Sequence, residues 1–184
     1  MNEAPWNYSL PVVLTVGGEE RQIRSDYRAA LDCFLALTDN ELDNYNKAME
    51  LLDILYVDEL PPELWQEAIE KALWFLNGGE AERKEKGKQL VSWTQDFTMI
   101  ASPVSKIIGQ DIRGMTYLHW WSFLSAYMSI GDCLFAQVVS IRDKKARGKT
   151  LDKTDKEFYR RNKEIIDIKK PLTDEEAELL KEWV

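Results

Sequence analysis

The stretch TYLHWWSFLSAYMSIGDCLFAQVVSIRDKKARGK, residues 116–149, decides the fold. Tyr117, Trp120, Trp121, Leu124, Tyr127, Met128, Leu134, Phe135, Val138 and Ile141 recur at intervals of three and four, the period of one helix face rather than of a strand. The spacing predicts a tryptophan-rich central helix with Trp120, Trp121, Leu124 and Phe135 in the core. If Trp121 is fully buried, truncating it to alanine costs about 3 kcal/mol or more. Gly131 lies on the same apolar side, where it either admits a close helix neighbour or marks a kink between two shorter helices.

Upstream, LPVVLTVGGEERQIRS (10–25) reads as a β-hairpin: Val12, Val13, Leu14 and Val16 favour strands, and Gly17-Gly18 supply the positive φ of a tight turn. A lone hairpin is marginal in water, so it must pack on a helix or pair with another strand, including one from a second subunit. Ser25 is the expected cap of a helix burying Tyr27, Leu31, Phe34 and Leu35. Thr38 or Asp39 is the expected cap of a second, carrying Leu42, Tyr45, Met49, Leu52 and Leu55 or Tyr56. Pro61-Pro62 separates this from a third, which buries Leu64, Trp65, Ile69, Leu73 and Leu76 and ends at Asn77-Gly78-Gly79.

Residues 79–89, polar and glycine-containing, read as a linker. Beyond it, a helix is expected from about Thr94, with a break or restart at Ser102-Pro103 and an end at Gly109. The last segment, TDEEAELLKEWV (173–184), carries the Thr173/Glu176 pattern of a capping box and reads as an acidic helix. The expected architecture is mainly α: a two-lobed helical bundle with a small N-terminal β-hairpin. Residues 1–78 form an acidic hairpin-plus-three-helix lobe, and 90–184 a helical lobe around the tryptophan-rich segment.

Composition narrows the function. The chain is 45% hydrophobic and 30% charged, enough apolar material for a core without disulfides. Cys33 and Cys133 lack CxxC spacing and fit a reducing compartment as small apolar residues. The first residues lack the basic and apolar regions of a signal peptide, and no apolar run reaches the roughly 18 residues of a membrane span. The net charge of −8 is uneven: residues 1–80 hold 5 basic and 16 acidic side chains, whereas residues 142–163 hold 10 basic and 4 acidic. That basic stretch is the one candidate nucleic-acid surface. Its only aromatics are Phe158 and Tyr159, and its cations spread around several sides, so a solvated face is the better reading and nucleic acid is disfavoured.

Chemistry-bearing residues are sparse. His119 has no second histidine and no Cys or carboxylate cluster at ligand spacing, so a hydrogen-bonded, partly buried histidine is expected rather than a metal ligand. Asp96 and Asp111 are weighed as a carboxylate pair, but capping or salt-bridging is the expected role. No nucleophile elbow, P-loop or dinucleotide fingerprint is present. Aromatics at helical spacing indicate core more often than a ligand pocket. The expectation is a binding protein with no catalytic residues, metal or cofactor.

One further step is open. LHWWSFLSAYMSIGD (118–132), followed by VVSIRDKKARGKTLDKTDKEFYRRN (138–162) and preceded by WTQDFTMI (93–100) and IIGQDIRGM (107–115), resembles the bacteriophage gene-product-fifteen family of tailed phages and prophages of low-GC Gram-positive bacteria. Asp96, Asp111, Leu118, His119, Trp120, Trp121, Phe123 and Arg142 are the motif and core positions that carry the likeness; two tryptophans after a histidine are rare in any composition. The family's gene commonly lies just upstream of the tail tape-measure gene. The resemblance therefore implies a tail assembly chaperone in the host bacterial cytoplasm that coats the tape-measure protein, self-associates as a homo-oligomer and has no enzyme activity. A smaller co-chaperone encoded upstream is a further implied partner, and a structural component of the mature tail or tail-terminator complex is the alternative role.

Overall fold

The computed structural model describes residues 9–80 and 89–169. It is mainly α-helical, with one small antiparallel hairpin near the N-terminus. Two compact units are formed, Met1–Gly87 with Ile100–Ile130, and Lys88–Met99 with Gly131–Val184. The grouping differs from a single boundary at the linker, because the tryptophan-rich block packs with the N-terminal helices. Residues 81–88, most of the expected linker, lie outside the described residues, as does the expected helix at 173–184.

In the first unit, β1 (Val13–Val16) and β2 (Glu19–Gln22) pair in register Val13 with Gln22 through Val16 with Glu19. Gly17 and Gly18, at φ 62° and 78°, make the turn. The hairpin buries Leu14 and Val16, and Ile23 bridges to Tyr56. α1 (Tyr27–Thr38) is capped by Asp26, whose carboxylate accepts from Arg28 N, rather than by Ser25. α2 (Asn44–Leu55) is capped by Asp43, four or five residues later than expected; Asp39 instead accepts from Glu41 N in the connecting turn. α3 (Trp65–Leu76) follows a 3-10 turn at Pro62–Leu64 and stops at Gly78 and Gly79, both in the left-handed region.

α4 (Trp93–Ile108) runs unbroken through Pro103, which overturns the expected break at Ser102-Pro103. A helix-interior proline forfeits one hydrogen bond, to the carbonyl four residues back, and the neighbouring turns hold. Ser92 and Asp96 close its start reciprocally: Ser92 N donates to Asp96 Oδ2 at 2.9 Å and Gln95 N to Ser92 Oγ at 3.4 Å.

The decisive stretch forms two helices, α5 (Trp120–Met128) and α6 (Leu134–Ala146), so of the two readings of Gly131 the structure takes the interruption. Ser129–Cys133 separates them. α5 belongs to the first unit and α6 to the second, which also contains α7 (Lys153–Arg161) and α8 (Lys163–Ile166). Asp152 and Asp155 form a capping box on α7. The core of the second unit contains Val138, Ile141 and Ile166, with Met99, Leu151, Phe158, Tyr159 and Ile165 packed around them.

Candidate functional site

The His-Trp-Trp triplet acts as a fastener. His119 precedes α5, is buried, and accepts from Trp121 N at its Nδ1 (3.0 Å) while its Nε2 lies 2.9 Å from the carbonyl of Pro11. An Nδ1 that accepts carries no proton, so Nε2–H donates to Pro11 and the ring is the neutral Nε2–H tautomer. Burial lowers its pKa, and the Pro11 carbonyl opposes that by a smaller amount. The histidine therefore caps α5 and ties it to the start of the hairpin; it is not disposed for acid-base work.

The two tryptophans close the opposite kind of helix end. Trp120 Nε1 donates to Leu76 O at 2.9 Å, and Trp121 Nε1 donates at 2.8 Å to Phe75 O, which also accepts from Gly78 N, so the indoles supply donors at the last turn of α3. A Cβ on Gly78 would come within 2.9 Å of Leu124, and one on Gly79 within 2.9 Å of the Trp121 ring, so α5 approaches α3 only because both positions are glycine. Trp120 is 1% exposed and stacks on Phe123, which stacks on Tyr27 at 4.8 Å between centroids. Leu118 and Phe123 are also buried, whereas Trp121 and Leu124 are only half-buried, which corrects the expectation that both belong to the core interior. Phe135 is buried as expected.

Asp96 and Arg142 meet in the second unit as a buried, bidentate ion pair at 2.5 and 2.9 Å. Arg142 also donates to the carbonyls of Leu90, Ile165 and Ile166 at 2.9, 2.7 and 2.6 Å, so all five N–H groups of the guanidinium have acceptors. Gln95 extends the clasp, donating to the carbonyls of Ile165 and Asp167 and accepting from Lys169 N. Asp111 stands apart from this arrangement: it is exposed, caps a 3-10 turn at Ile112–Gly114, and binds Arg113, whose hydrogen bonds hold its carboxyl down at about 2. Asp96 and Asp111 thus each serve a different arginine and do not form a catalytic pair. Sequence reading singled out Asp96 and Arg142 but missed their pairing; Gln95 was missed as a participant.

Cys33 is fully buried, and burial pushes its thiol up to about 12. Cys133, at the start of α6, is half-buried. In the basic stretch, Lys144, Lys145, Arg147 and Arg161 pair with Asp155, Asp167, Asp143 and Glu157. With Arg142 these take up five of its ten cations. Among the described residues, no group of three or more His, Cys, Asp or Glu could hold a metal ion, and no helix is long and apolar enough to cross a membrane.

What the motif residues leave open is a surface. A groove of about 410 Å3 on the first unit is lined by Leu10, the end of α4 (Ile107, Ile108), α5 (Trp121, Ser122, Ser125, Ala126) and its C-cap Ser129. Leu10 and Ile107 are 44% and 46% exposed, and neither the walls nor the floor carries a charge.

The buried fasteners account for the blocks quoted from the sequence, and the family model for Bacteriophage Gp15 protein matches residues 7–168. The chain belongs to the Bacteriophage Gp15 protein family. Neither the comparison with curated proteins nor that with solved structures found a match. The Gp15 match spans both units, so the hairpin and α1–α3 belong to the family's pattern along with the tryptophan block.

Proposed function

We propose that this Gp15-family protein is a tail assembly chaperone that binds the tape-measure protein during phage tail morphogenesis in the host cytoplasm, by surface recognition and without catalysis or a cofactor. The uncharged groove on the first unit is the observation that carries this reading. A long helical partner awaiting assembly presents apolar stripes that aggregate if uncovered, and an open apolar groove of this kind takes a helix face by its side chains at i, i+3 or i+4, and i+7. Ser122, Ser125 and Ser129 line the groove on the α5 side and add hydrogen-bonding groups beside its apolar residues.

Support also comes from what the motif residues do. Asp96, His119, Trp120 and Arg142 are committed to internal hydrogen bonds and buried, which leaves recognition to the outer surface. The test is co-expression with the tape-measure protein encoded next to it, with Ile107→Asp beside the parent chain. The parent is expected to keep the tape-measure protein soluble and to co-purify with it, and Ile107→Asp is expected to lose both while melting within about 1 kcal/mol of the parent, as suits a half-exposed position. A tape-measure protein that stays insoluble with the parent would overturn the reading and favour a structural role in the tail.

A further inference from the structure

The two units differ in charge in a way that suggests what one face of the second is for. Among the described residues, the first unit carries 7 basic and 16 acidic side chains, and the second 11 basic and 8 acidic. In the second unit, Asp96, Asp143, Asp155, Glu157 and Asp167 are all in ion pairs. Lys153, Lys156 and Arg160 remain as an exposed stripe at i, i+3 and i+7 along α7, while Asp155, Phe158 and Tyr159 of the same helix face inward contacts. None of the three cations forms an ion pair with a described residue.

The first unit offers the counterpart. Glu63 and Glu70 are exposed along α3 and its leading turn, half-exposed Glu67 between them accepts from Gly17 N, none of the three is in an ion pair with a described residue, and Trp74, 40% exposed, stands one turn beyond Glu70. An acidic helix stripe ending in a tryptophan suits a basic helix stripe ending in an arginine, which adds a guanidinium–indole contact to the ion pairs.

We propose that α7 of one copy docks through Lys153, Lys156 and Arg160 on the Glu63–Trp74 stripe of a second copy. The two surfaces are different patches, so the contact is head-to-tail; it builds a row of copies unless the rotation closes a ring. A second copy offers α7 a first unit with 16 acidic and 7 basic side chains among the described residues, and an exposed Trp74 for Arg160 that a phosphate backbone does not supply. The inference does not depend on the identity of the chaperone's client.

Light scattering at low and high ionic strength tests it on the full chain. The mass is expected to rise with concentration at low salt and fall toward the monomer at high salt. Lys156→Glu/Arg160→Glu and Glu63→Lys/Glu70→Lys are each expected to weaken association about tenfold or more when alone, and to associate again when mixed. All four positions are exposed, and unchanged circular dichroism and melting of both variants establish that folding is not the cause. A parent chain monomeric at every concentration and salt, or variants that associate like the parent, would overturn the proposal. So would a parent that stays monomeric but binds DNA or an unrelated acidic protein through the same three cations.

Discussion

The first unit is joined mainly by neutral groups and the second by a buried ion pair. In the first, indole N–H groups and a neutral imidazole fill the ends of α3 and α5, and an aromatic stack from Tyr27 through Phe123 to Trp120 carries the burial. In the second, a guanidinium with five acceptors gathers the start of α4, α6 and the backbone at 165–166. The difference follows from size: a unit with fewer buried apolar side chains has less hydrophobic stabilisation to hold its elements in one arrangement, and a fully satisfied polar clasp fixes their geometry. Such a pair contributes little net stability over a well-packed apolar replacement, yet removing one partner strands a charge.

The largest effect should therefore come from single changes in the clasp. Arg142→Met or Asp96→Ala alone should each destabilise the fold by about 3–5 kcal/mol, read by urea denaturation, whereas Asp96→Leu combined with Arg142→Met should cost far less than their sum. Additive single effects would break the contrast between the units. Next, Trp120→Ala should cost about 3–5 kcal/mol. Half-buried Trp121→Ala should cost less, and equal losses would contradict the placement of Trp121 at the edge of the groove.

His119 gives a smaller, pH-dependent effect. The folded state holds the ring neutral and lowers its pKa, so below about pH 6.5 the unfolded chain binds more protons and stability falls with pH. Of the groups around it, Pro11 and Trp121 supply a carbonyl and an N–H, Phe75 and Tyr117 supply ring edges, and Asp26 is occupied by Arg28 and Leu118 N. His119→Asn keeps a capping side chain that does not titrate, and its stability between pH 7 and 5 should be flatter than the parent's. The smallest effect is at the exposed Arg161–Glu157 pair, where Arg161→Ala should change stability by under about 0.5 kcal/mol. A larger loss would show that polar fastening in the second unit extends beyond the clasp.

Helix content and the N-terminal hairpin were legible in the sequence, because periodicity and Gly17-Gly18 report local structure. The caps were not: Asp26 and Asp43 won over Ser25 and Thr38 or Asp39, since several residues in each connection have capping chemistry and tertiary contacts choose among them. Pro103 misled because a proline costs a helix one hydrogen bond, which packing of Ile100, Ala101 and Val104 outweighs. The split at Ser129–Cys133 had a local signal in Gly131, but the assignment of α5 to the first unit did not. That depends on Gly78 and Gly79, some forty residues earlier, admitting the tryptophans to the carbonyls of α3. Likewise, Asp96 and Arg142 stood out as individual residues while their pairing, across 46 positions, was invisible.

The chaperone reading stands or falls most directly on where the protein is when assembly is complete. Quantitative mass spectrometry of purified virions, set beside the lysate in which they formed, measures this. The account predicts abundant protein in the lysate, bound to unassembled tape-measure protein, and none at stoichiometric level in the finished particle. A fixed number of copies per tail in the virion would contradict it and make the protein a component of the tail.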